Sequence, residues 1–192
     1  MARKISAKQT TKKASKQTAL RSTSRTTSRR SPRTPDRPSR RSGPADALAL
    51  LRDEHQAISK LFDEYERRKD RLSDDQKQQL SGEICGMLKV HAQIEEELLY
   101  PALRQSDRGG SSADLLDEAD VEHASAKDLI AQLEAEGPQS ELFDAKVKVL
   151  GEYVKHHVKE EQGEIFPLAR KAKLDLKALG AQLAERKQQL MQ

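Results

Sequence analysis

The sequence contains a single cysteine, Cys85, in 192 residues. That excludes an internal disulfide and fits a reducing compartment. No apolar run reaches the roughly 18 residues of a membrane-spanning helix, so no membrane segment is expected. The first residues lack the apolar stretch of a secretory signal, which leaves a cytoplasmic location as the expectation. No strand-like alternation of apolar and polar residues occurs anywhere. Acids are nearly missing from the start of the chain: residues 1–45 hold 14 of the 35 Lys and Arg but only one of the 31 acids, Asp36. The overall charge of +4 therefore joins a basic arm of +13 to an acidic body of −9. Such a division points to separate roles for the two parts.

Residues 1–43 are mostly Arg, Lys, Ser and Thr with scattered Pro (SPRTPDRPSRRSG at 31–43). Little apolar surface is available there to offset ordering entropy, so this arm is predicted to be disordered. Three roles fit its composition. It could bind nucleic acid non-specifically by neutralising phosphates, act as a solubilising extension, or resemble an organelle transit peptide. It has no aromatic residue, so stacking on bases is not indicated.

Residues 44–192 read as one all-α domain. Leu51, His55, Ile58, Phe62 and Tyr65 recur at helical spacing within 45–70. Ser73, followed by Asp74 and Asp75, is a predicted N-cap for a second helix. That helix carries Ile84, Met87, His91, Glu95 and Leu98 on one face. After RGGSS (108–112), a third helix shows Leu116, Ala119, His123, Ala126, Ile130 and Leu133. After EGPQS (136–140), a fourth shows Val147, Leu150, Val154, His157, Glu161 and Leu168. Leu176, Leu179 and Leu183 mark a short fifth helix over about 175–190. Long helices with short connections predict an up-down-up-down four-helix bundle.

Every one of the four long stripes carries a histidine, and two carry a glutamate one turn later. HAQIEEELLYP (91–101) and HVKEEQGEIFP (157–167) share this skeleton: His, Glu four places on, an aromatic nine places on, Pro ten places on. A buried carboxylate without a partner costs several kcal/mol. Counted from the helix ends, all six polar groups fall in one slab of the bundle. A metal centre accounts for them, since imidazole with carboxylate suits iron, manganese or zinc. Six ligands exceed the needs of one tetrahedral ion. Two carboxylates among four imidazoles can instead bridge two ions, and positions four apart stack on one helix face.

A His on the first helix, HxxxE on the second, a His on the third and HxxxE on the fourth resemble the hemerythrin-like (HHE cation-binding) domain. The Tyr100-Pro101 and Phe166-Pro167 endings fit the same family, and the resemblance spans roughly 45–190. It implies a bundle with a non-haem di-iron centre, manganese or zinc remaining open on ligand type. Glu95 and Glu161 would bridge, His55 and His91 would complete one iron, and His123 and His157 the other. Oxygen-carrying members are expected to have two His one turn apart on the third helix. Here Ala119 and Lys127 flank His123, which leaves one ion short of a protein ligand. The expectation is therefore binding or sensing of O₂, NO or peroxide, or iron handling under redox stress, in preference to bulk O₂ transport. A di-iron oxidase or a peroxide- or NO-reducing enzyme is the first alternative; a nucleic-acid-associated protein working through its arm is the second.

Other residues have plainer expectations. His156 should lie at the surface or behind the ligands. Glu96, Glu97, Glu160 and Glu164 should be solvated, with one of them available to support a ligand. Tyr65, Tyr100 and Tyr153 should pack with exposed hydroxyls, and Cys85 should be a small buried apolar residue. Pro101 and Pro167 should bend their helices.

Overall fold

A computed structural model of the chain describes residues 46–106, 110 and 112–192. The predicted disordered arm, 1–43, lies outside the described residues. Among those described there are helices and no strand. Five helices follow in order: α1 (Ala47–Arg68); α2, made of Asp74–Ile94, a π-helical turn Glu95–Leu99 and Tyr100–Ser106; α3 (Ala113–Glu136); α4, made of Phe143–Glu160, a π-helical turn Glu161–Ile165 and Phe166–Lys171; and α5 (Leu176–Leu190). The first four form the expected bundle, and α5 packs on α1 and α2.

Local chemistry sets the ends. The Asp46 carboxylate accepts from the Ala49 N–H at 2.8 Å and starts α1. Ser73 and Gln76 form a reciprocal capping box at the start of α2, as the sequence suggests for Ser73. Such caps are worth about 1 kcal/mol each. Gly137 closes α3 at φ +72°, a conformation that a side chain disfavours, and its N–H bonds to the Leu133 carbonyl. Asp175 caps α5 through the Ala178 N–H at 3.0 Å.

Two features fix where the site lies. First, the apolar residues form two separate clusters. One holds Leu48, Leu51, Ile94, Leu99, Leu103, Leu116 and Phe166, closed over by Leu179 and Leu183 of α5. The other holds Ile58, Tyr65, Ile84, Cys85, Leu88, Ile130, Phe143 and Leu150. Along α1, His55 stands between Leu51 of the first cluster and Ile58 of the second; along α2, His91 stands between Leu88 and Ile94.

Second, each HxxxE helix widens just after its histidine. The Tyr100 N–H bonds to the Glu95 carbonyl and the Phe166 N–H to that of Glu161, five residues back instead of four. Pro101 and Pro167 follow immediately. A proline lacks an N–H and crowds the carbonyl four residues earlier, and a wider turn ahead of it relieves that crowding. The sequence marks the prolines as the irregular positions; the structure spreads the irregularity over the five residues before each. The added residue shifts the buried stripe by one. Leu99 and Ala169 are fully buried, whereas the predicted Leu98 and Leu168 are only partly so.

Candidate metal centre

All six predicted side chains come together in the middle of the bundle. His55 comes from α1, His91 and Glu95 from α2, His123 from α3, and His157 and Glu161 from α4. Every one is buried, and Glu95 and Glu161 are wholly inaccessible. Their ligand atoms fall into two groups in which all atoms lie within 4.8 Å of one another. His55, His91, Glu95 and Glu161 form one; Glu95, His123 and His157 form the other.

Glu95 is common to both groups. Its Oε1 lies 3.3 Å from His91 Nε2 and its Oε2 lies 3.5 Å from His123 Nε2. Glu161 Oε2 lies 3.1 Å from His55 Nε2. The Nε2 atoms of His55 and His91 are 2.9 Å apart, and those of His123 and His157 are 3.2 Å apart. An ion bound at about 2.1 Å holds adjacent ligand atoms about 3.0–3.4 Å apart, close to these spacings. None of the four oxygens of Glu95 and Glu161 makes a hydrogen bond. Buried polar atoms are ordinarily satisfied, and a cation among these bare acceptors would satisfy them.

The far side of each imidazole supports the same reading. His91 Nδ1 is 2.7 Å from Glu54 Oε2, and His157 Nδ1 is 2.8 Å from Glu122 Oε2. His123 Nδ1 is 2.9 Å from Glu96 Oε1, and His55 Nδ1 is 2.9 Å from the Gln162 amide. A carboxylate at Nδ1 keeps the proton there, so the Nε2 lone pairs of His91, His123 and His157 all point inward. Partners of this kind fix the orientation of metal-binding histidines and raise their basicity. The arrangement has an approximate twofold repeat, with Glu54/His91 answering Glu122/His157 and Gln162/His55 answering Glu96/His123.

Glu54 and Glu122 carry no expectation from the sequence. A faint signal was present: each immediately precedes a stripe histidine, giving Glu-His at 54–55 and again at 122–123. Each supports the histidine of the next helix and not its own neighbour, which the sequence does not encode. Lys187 of α5 lies 2.7 Å from Glu54 Oε1 and so ties the last helix to the site. Glu96, expected on a solvated face with one residue of its set open to supply the missing ligand or a hydrogen bond behind one, is the member that bonds to a site histidine, His123. Its oxygens lie 2.7 and 2.6 Å from Lys127 Nζ. Glu97 pairs with Arg186 at 2.6 Å.

Electrostatics follow from this packing. Burial, then the neighbouring Glu161 charge, holds the Glu95 carboxyl well above its ordinary range. For Glu161 burial acts in the same direction, but the adjacent His55 outweighs it and holds the group low. Burial pushes His91 and His123 down, favouring the neutral imidazoles that bind metal. The His123 hydrogen bond holds Glu96 at about 2.

Two expectations about tyrosine need correction. Tyr153 is exposed as foreseen, but Tyr65 and Tyr100 are fully buried. The Tyr65 hydroxyl donates to Asp144 at 2.6 Å, and Lys77 holds the other oxygen of that carboxylate. The Tyr100 hydroxyl makes no hydrogen bond, and its ring stacks on His123 with centroids 5.7 Å apart. Its counterpart Phe166 stacks on His55 at 6.0 Å. The tyrosines sit on core faces of their helices, and the apolar ring decides their placement. His156 is exposed, as expected, and Cys85 is buried with its thiol pushed up to about 11. A cavity of about 30 Å³ opens against the four imidazoles, with Ile58, Leu88, Ile130 and Val154 on its other side. That is room for one water-sized molecule.

No helix among the described residues is long and apolar enough to cross a membrane. A family model described as the Hemerythrin HHE cation binding domain matches residues 46–169. A protein of Nostoc sp. (strain PCC 7120 / SAG 25.82 / UTEX 2576) called DNA nickase is 32% identical over 122 residues. The match covers 63% of this chain and 32% of that protein, so the chain spans about a third of its relative's length. Among solved structures, the fold is similar to a Hemerythrin HHE cation binding domain-containing protein, the Rv2633c homolog from Mycobacterium kansasii. The TM-score is 0.62 at 22% identity, covering 76% of this chain and 87% of that one.

Proposed function

The chain belongs to the hemerythrin HHE cation-binding family, and from that premise we propose that residues 44–192 hold two iron ions and bind or sense O₂, NO or peroxide. Handling of iron under redox stress belongs to the same reading, in a cytoplasmic setting. The observation that carries it is the set of inward-facing Nε2 atoms around two buried carboxylates that have no hydrogen bonds. His55, His91 and Glu161 would hold one ion, His123 and His157 the other, with Glu95 shared and Glu161 also able to bridge. Manganese and zinc suit the same ligand types. Iron held here would supply Lewis acidity and redox chemistry toward a small ligand.

The residues around the second group favour ligand binding there. Ala119 and Lys127, one turn either side of His123, offer no ligand, and the Lys127 ammonium is engaged by Glu96. The second group therefore has three ligand side chains where the first has four. The small cavity against all four imidazoles limits what can approach them to a ligand of very few atoms.

The test is metal content per chain after purification in air without an affinity metal. About two irons per chain support the reading. A folded, helical protein with little metal overturns it. Turnover of peroxide or NO by the iron-loaded protein would favour an enzyme over a sensor.

A second reading rests on the basic arm and on the name of the Nostoc relative. With 14 Lys and Arg in residues 1–45, the arm would associate with nucleic acid through its phosphates. Deleting residues 1–43 should then abolish duplex binding that weakens steeply with salt. Unchanged binding after the deletion would end this reading.

A further inference from the structure

The fourth helix carries the His-x-x-x-Glu spacing twice, in adjacent registers. His157 and Glu161 face inward. His156 and Glu160, one residue earlier, lie on its outer side, where His156 Nε2 is 3.1 Å from Glu160 Oε1. Glu122 of α3 joins them, its Oε1 3.7 Å from His156 Nε2. Ligand atoms of all three lie within 4.8 Å of one another. Their side chains are 58%, 32% and 23% exposed for His156, Glu160 and Glu122.

A surface His–Glu ion pair is common by itself. Two further observations set this one apart. Glu122 faces both sets: its other oxygen, Oε2, accepts from His157 Nδ1 at 2.8 Å. In addition, a narrow crevice of about 10 Å³ runs between α3 and α4. Its lining includes Glu118, Glu122 and Glu160 together with the buried His157 and Glu161. Ala119 also lines it, one turn before His123, where a larger side chain would fill the space.

We propose that His156, Glu160 and Glu122 form an exposed site for a divalent cation, and that it serves as the loading site for the buried centre. One nitrogen and two carboxylates suit Fe²⁺ or Mn²⁺. Glu95 and Glu161 are wholly buried and the four imidazoles nearly so, so a partly exposed set of ligands gives an incoming ion a place to exchange water for protein. Each α4 ligand of the outer set is followed in sequence by one of the inner set, and Glu160 and Glu122 share the crevice lining with His157 and Glu161. No redox step is involved; an ion changes ligands. The loading role rests on the reading of the buried residues as a metal centre, whereas the outer site stands by itself.

The test uses the full chain. In the iron-filled protein, Mn²⁺ is titrated and the free aqua ion followed by electron paramagnetic resonance. Wild type should bind one further Mn²⁺. His156→Ala and Glu160→Gln should each weaken that binding roughly ten- to a hundredfold while the iron stays in place. Absence of extra binding, or binding as tight as wild type in both variants, overturns the site. In the iron-stripped protein, Fe²⁺ uptake should be slower in both variants and reach the same final content. Equal rates overturn the loading role. If no form takes up iron, the reading of the buried centre fails, and the Mn²⁺ titration still decides the outer site.

Discussion

Replacing Glu95 by Gln should have opposite effects on the metal-free and iron-loaded proteins. Glu95 is wholly buried, and both its oxygens lack hydrogen bonds. Burial beside Glu161 raises its carboxyl well above 4.5, so in the metal-free native state it keeps a proton that the unfolded chain releases. Stability of the metal-free protein therefore falls as pH rises from about 4.5 toward the folded value. Each pH unit by which the folded value exceeds the unfolded one corresponds to about 1.4 kcal/mol of this pH-dependent loss. Gln has the shape of the protonated acid and carries no charge to lose. Urea unfolding of the metal-free proteins should thus show Glu95→Gln more stable than wild type at pH 7, the gap closing near pH 4.5. With iron the order should reverse, because the residue shared by both groups has become a weak ligand. A metal-free variant no more stable than wild type at pH 7, or one that still holds two irons, would refute the reasoning.

Glu161→Ala should lose metal far more than Glu160→Ala, and His156→Ala should keep its buried metal at equilibrium; elemental analysis of the three separates the inner register from the outer. Glu54→Gln should weaken iron binding about ten- to a hundredfold, because His91 loses the carboxylate that orients it; competition with a chelator measures this. Gly137→Ala should cost about 1 kcal/mol in thermal or urea unfolding, since its φ of +72° suits a residue without Cβ.

The convergence of the candidate centre's six side chains was legible because those residues break a rule. A histidine on an apolar stripe is ordinary once; four of them, two followed by Glu at the next turn, need a common cause, and their shared depth follows from helical rise alone. The supporting ring was not legible in the same way. Glu54 and Glu122 reach histidines on other helices, so their roles depend on helix orientation, which the sequence leaves open. The π-helical turns were half visible: Pro101 and Pro167 mark trouble, but where the backbone absorbs it is settled by packing. That shift moves burial from Leu98 to Leu99 and from Leu168 to Ala169. Tyr100 and Tyr65 were misjudged at their hydroxyls, because the ring's apolar area outweighed the demand of one polar atom.

Two apolar clusters with a polar layer along the helices between them have a mechanical consequence. Each end of the bundle coheres by itself, and the contents of the layer decide how firmly the ends are joined. Emptied of cations, the layer is a seam of acceptors without donors; filled, it becomes a weld. Loss of metal would then loosen the domain at its waist, with backbone amides near His55 and His123 exchanging faster while those beside Leu51 and Phe143 stay protected. Metal occupancy would in this way be written into backbone motion far from any surface.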